Sequence, residues 1–115
     1  MEIDVVERYA EKVREAGKSL REAVRYVGRC ELTAKKKTAQ TMAIAEASGI
    51  KTIGKQERYA DEDDACFEAR MSVYAAKGDL EAAKAELEAC KMEFQGWRSR
   101  MATLRFEKNQ IYNTD

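Results

Sequence analysis

At 115 residues the chain has room for one domain, and with Lys plus Arg at 21 against Asp plus Glu at 21 its formal net charge is zero. That balance excludes any partner inferred from global charge, basic coat or acidic mimic alike, and leaves such a role to the distribution of charge. It has no proline and no histidine, its three cysteines (Cys30, Cys66, Cys90) are far apart with no Cys-x-x-Cys, and no apolar run approaches the ~20 residues of a membrane span, which excludes a zinc finger, a disulfide framework and a transmembrane helix.

Val6, Val13, Leu20, Val27 and Ala34 recur every seven residues, with Tyr9, Ala16, Ala23 and Cys30 three places behind them. This seam predicts a first helix of the coiled-coil kind over about 3–47. Gly17 and Gly28 lie within it and weaken it by up to ~1 kcal/mol each relative to alanine. The pattern falters between Thr33 and Met42, where Lys35, Lys36 and Lys37 stand together, and resumes on a new face at Met42, Ala43, Ile44, Ala45 and Ala47. Ser48 to Gly54 reads Ser-Gly-Ile-Lys-Thr-Ile-Gly, rich in glycine and β-branched residues, which predicts the main turn over about 48–54.

The second helix is predicted over about 55–112. Tyr59, Cys66, Val73, Leu80, Leu87, Phe94 and Met101 recur at sevens, with Ala69, Ala76, Ala83, Cys90, Trp97, Leu104 and Ile111 three places behind. A helix this long needs a partner, because helices in water are held by packing an apolar face. The expected fold is all-α, a long antiparallel helical hairpin forming a single domain over 1–115. Bulky residues gather at one end of the second seam and would leave an apolar patch on a lone chain. A homo-oligomer is therefore expected, with Leu80, Leu87, Phe94, Trp97, Met101 and Leu104 at its interface. Arg70, Lys77, Lys84, Lys91, Arg98 and Arg105 run along one flank and Asp79, Glu86, Glu93 and Glu107 along the other, as in helices that select partners by charge. A phosphate-tracking stripe is the alternative reading of the basic flank.

Catalytic chemistry is scarcely represented. General acid–base work would fall to carboxylates, lysine, tyrosine or cysteine, and no nucleophile elbow or metal motif is present. Lys51-Thr52 lacks the spaced glycines of a phosphate-cradling loop. The chain is expected to be no enzyme and to use no cofactor or metal. Asp61, Glu62, Asp63 and Asp64 could hold a cation, but acids in the early turns of a helix more ordinarily complement its positive end. The cysteines read as small buried hydrophobes. A basic middle remains: Lys35, Lys36, Lys37, Lys51, Lys55 and Arg58, interrupted by Glu46 and Glu57 and followed by Tyr59. Cations on phosphates and aromatics under bases are how single strands are held without sequence preference, and an oligomer would repeat the patch.

The run Gly54-Lys55-Gln56-Glu57-Arg58-Tyr59, followed by a long helix ending Trp97-Arg98-Ser99-Arg100-Met101-Ala102-Thr103-Leu104-Arg105, resembles a group of small helical phage proteins in which a hairpin carries a basic turn. The layout is similar to the UvsY-type recombination mediators, small α-helical ring-forming proteins. The resemblance implies a protein that binds single-stranded DNA and helps load a recombinase, with a recombinase or single-strand-binding protein as partner. It matches Lys51, Lys55 and Arg58 to the basic turn and Trp97 to the assembly helix. The opening Met-Glu-Ile-Asp-Val-Val-Glu is acidic where a leader would be basic, so the expected location is the cytoplasm, that of the host if a phage encodes the chain. Two other readings stand beside it: an oligomeric interaction factor, such as a phage inhibitor of a host defence complex, and a structural coiled-coil scaffold.

Overall fold

A computed structural model describes residues 2–113, whose regular structure is helical throughout: α1 (Glu2–Ala47), α2 (Ile53–Glu62) and α3 (Asp64–Asn113). The first helix agrees with its predicted bounds and continues through Gly17 and Gly28, whose neighbours Ala16 and Val27 are buried. Burial of that seam outweighs the ~1 kcal/mol that each glycine costs.

The end of α1 follows from Gly49. Its φ of +101° lies in the region that glycine enters without a Cβ penalty. There Gly49 N–H donates to Glu46 C=O at 3.0 Å and Ile50 N–H reaches back to Ala45 C=O at 3.0 Å, the paired bonds of a Schellman cap. Ala45 is fully buried beneath this closure. The following residues are held by Gln56, a buried side chain whose Nε2 donates to Ile50 C=O at 2.8 Å.

The second predicted helix is corrected in two respects. It starts at Ile53, and it is interrupted at Asp63, so that α2 and α3 replace one helix over 55–112. Asp63 is extended at φ −76° and ψ 125°, and its carboxylate accepts the Cys66 N–H at 2.9 Å, which makes it the N-cap of α3. That hydrogen bond is the main cause holding the Asp63 carboxyl below its ordinary range. The interruption also shifts the seam. Tyr59 is 40% exposed while its neighbour Ala60 is fully buried, and the inward heptad resumes at Cys66.

Tertiary contacts divide the chain into two compact units, a turn unit of Arg21–Ala82 and a terminal unit formed by the stretch up to Leu20 and the stretch from Ala83 on. In the turn unit Val27, Cys30 and Ala76 form a buried cluster flanked by Val73 and Leu80. Nearer the turn, the Cys66 thiol lies 3.2 Å from Thr41 Oγ1. Among the described residues Cys66 is the largest fully buried side chain, so the helices meet there over small residues. In the terminal unit Ala16 and Cys90 are buried, and Tyr9 stacks on Phe94 with ring centroids 5.7 Å apart. Within each unit, later α1 residues meet earlier α3 residues, the antiparallel pairing of a helical hairpin.

Candidate nucleic-acid interface

The basic residues nearest the turn are displayed by the elements just described. The Schellman cap at Gly49 and the Gln56 bond fix the linker, and Lys51 stands exposed on it. On α2 the buried positions are Gln56 and Ala60, which turns Lys55, Arg58 and Tyr59, spaced as one helical face, to the outside. Thr52 caps α2 with extended backbone and no side-chain hydrogen bond, and the first turn holds no acid. The first N–H groups of α2 and its positive dipole end therefore add to the charge of Lys51 and Lys55. Among the described residues, none of Lys51, Lys55 and Arg58 makes an ion pair or a side-chain hydrogen bond.

The α1 lysines are not equivalent. Lys35 and Lys36 are exposed, whereas Lys37 is half-buried and its charge helps to hold the Asp63 carboxyl down. Its main-chain carbonyl accepts the Thr41 hydroxyl at 2.9 Å. Lys35 borders a groove with Arg70 whose apolar wall includes Leu32, Met42 and Val73. The structure thus gathers Lys51, Lys55 and Arg58 on one short segment and draws Lys37 toward the seam.

Three of the residues expected between subunits, Leu80, Phe94 and Trp97, have partners inside the chain. Leu80 packs on the turn unit's core cluster, and Phe94 and Trp97 join Tyr9 in an aromatic group in which Tyr9 and Trp97 centroids are also 5.7 Å apart. Leu87 and Met101 are half-buried, and Leu104 is exposed. Members of the basic flank are engaged within the chain as well. Arg70 donates to Asp61, which raises the Arg70 pKa, Lys91 lies 3.5 Å from Glu88, and Arg98 sits 5.6 Å from the centre of the Phe94 ring. On the acidic flank, Glu93 lies 3.9 Å from Lys12.

All three cysteines are free and buried. Burial pushes the Cys90 thiol above its ordinary range, aided by a hydrogen bond to Glu86, so it behaves as an inert small hydrophobe at neutral pH. Among the described residues no three metal-ligating side chains come together, and no helix is long and apolar enough to cross a membrane. Of the two residues that organise the site, Gln56 carries no sequence signal beyond polarity, whereas Asp63 is of a type preferred at helix N-caps. Compared with known proteins, the chain matches no family model, no curated protein and no solved structure.

Proposed function

We propose that this chain is a non-catalytic, homo-oligomeric accessory protein that binds single-stranded DNA and helps load a recombinase, acting in the cytoplasm, the host's if a phage encodes it. The observation that carries this reading is the turn: three exposed cations with no ion pair among the described residues, Lys51 and Lys55 at the start of a helix whose N-cap side chain makes no hydrogen bond and Arg58 a turn further on, beside an exposed tyrosine. Lys51, Lys55 and Arg58 meet successive phosphates and Tyr59 offers a face to a base. Lys35 and Lys36 extend the positive surface of the same unit. Assembly repeats the turn, so that weak contacts add along one strand. A strand held extended in this way is presented to a recombinase without any covalent step.

A salt titration tests the reading, because each phosphate neutralised on a single strand contributes about 0.7 to the log–log slope. Three contacts per turn give a slope of about 2. Replacing Lys51, Lys55 and Arg58 together by alanine should abolish the binding and leave helix content intact, since all three are exposed. Equal binding by variant and wild type, or no binding by either at low salt, would remove the basis of the proposal.

One observation favours the interaction-factor reading as second. Phe67, Met71 and Tyr74 are exposed at the spacing of a single stripe on α3. Such a stripe is the chemistry by which a helix lies in a partner's apolar groove.

A further inference from the structure

Charge and aromatic surface meet a second time, in the terminal unit. A cleft of about 460 Å³ between α1 and α3 is bordered by Arg8, Tyr9, Lys12, Met92, Glu93 and Arg100. That volume lies within the ~300–1,000 Å³ of clefts that take small ligands. Three cations face one acid here, and that acid, Glu93, lies 3.9 Å from Lys12. Arg8 and Arg100 are exposed and make no ion pair among the described residues. They come from different helices and flank the same opening.

The wall between them is preorganised. Tyr9 is stacked on Phe94 at an interplanar angle of 9°, which fixes the ring that borders the cleft. Gly96 leaves α3 without a side chain at the cleft, and an Arg100 guanidinium nitrogen lies 3.6 Å from the position a Cβ would take there. Arg100 thus lies back along its own helix beside the opening, at an ordinary contact distance from residue 96. Two guanidinium groups supply the planar paired donors that suit phosphate oxygens. Tyr9 and Met92 supply a flat, polarisable surface that suits a base and contributes little to holding a small inorganic anion.

We infer that the cleft of the terminal unit is a second contact for single-stranded nucleic acid, in which Arg8 and Arg100 bind a phosphodiester and Tyr9 with Met92 receives the adjoining base. The inference rests on the nucleic-acid reading of the turn but concerns different residues in a different unit. It gives each subunit a second point of attachment, weaker than the turn.

Trp97 provides the readout, because it is the chain's only tryptophan and its ring lies 5.7 Å from that of Tyr9. The full chain is titrated with end-labelled oligothymidylate while label anisotropy and tryptophan emission are followed together. The expected result is a change of emission that saturates with the anisotropy. Replacing Arg8→Gln and Arg100→Gln together should remove the emission change, weaken binding about tenfold and lower the salt slope by about 1.4, the share of two phosphates. The double lysine variant at the same positions, which keeps the charge, should retain most of the slope. Circular dichroism verifies that each variant keeps its helices.

If the wild type binds by anisotropy with tryptophan emission unmoved, and the glutamine variant binds as tightly, the inference is overturned while the turn reading survives. If the wild type does not bind at low salt, both fall. If inorganic phosphate at matched ionic strength reproduces the full emission change, the cleft is a small-anion site. If polyglutamate reproduces it and oligothymidylate does not, the cleft belongs to an acidic protein partner. Either of these last two results overturns the assignment to nucleic acid.

Discussion

Trp97 decides between packing inside the chain and packing between chains. Its ring lies 5.7 Å from Tyr9 and 6.4 Å from Phe94, and it is half-buried. Removing a fully buried large aromatic costs ~3–5 kcal/mol, so Trp97→Leu, which keeps an apolar group at a half-buried site, should cost about 2 kcal/mol. Stacked aromatic pairs contribute ~0.5–1.5 kcal/mol beyond the area they bury. A double-mutant cycle of Tyr9→Leu with Trp97→Leu should therefore show a coupling of about 1 kcal/mol. Urea unfolding followed by circular dichroism measures each corner, and repeating it across a wide range of protein concentration separates the two origins of stability. A coupling within the chain is independent of concentration, whereas an interface formed by Trp97 would lower every midpoint on dilution. Additivity of the two substitutions within ~0.3 kcal/mol would refute the aromatic group as a feature of the chain in solution.

Gly49→Ala should destabilise by ~1–2 kcal/mol, because its φ of +101° is strained for any residue bearing a Cβ; an unchanged urea midpoint would contradict the cap. Gln56→Ala should cost about 1–2 kcal/mol by leaving the Ile50 carbonyl without its donor. It should also weaken DNA binding without changing charge, which the anisotropy assay reads directly. Asp63 sets an acid limit: a carboxyl held below its ordinary value of 3.8 in the folded chain contributes stability that is full above that value and is lost as pH falls through the folded one. Thermal melts of Asp63→Asn, which keeps a capping oxygen but does not titrate, should lie below wild type at neutral pH and approach it only as pH falls below 3.8 toward the folded value; a gap constant with pH would contradict this.

Much of the fold was readable because composition and period agreed along α1. Its seam and Gly49 place both helix and cap, and the structure ends the helix at Ala47 as the pattern does. The interruption at Asp63 was hidden by arithmetic: Tyr59 and Cys66 lie seven apart, so the heptad runs across a break where one residue leaves the helix. The shift of burial from Tyr59 to Ala60 follows from tertiary packing, and both residues are compatible with either face. Heptads also report that a face must be covered without naming the cover. Leu80, Phe94 and Trp97 therefore read as facing a second copy, and the structure adds contacts to them from α1 within the chain. In the candidate site, exposure of Lys51, Lys55 and Arg58 could be anticipated because lysine and arginine are almost never fully buried unless paired. The half-burial of Lys37 could not, because it depends on the register of α1 against α3. Arg8 and Arg100 are far apart in sequence and meet at one cleft only through the hairpin.

The grip of the turn on single-stranded DNA is read by the anisotropy of an end-labelled oligonucleotide against salt. Binding at low salt should be indifferent to base sequence, fall with a log–log slope of about 2 or more, and disappear when Lys51, Lys55 and Arg58 are replaced together. Binding that is insensitive to salt, or equally strong in that triple variant, would contradict it.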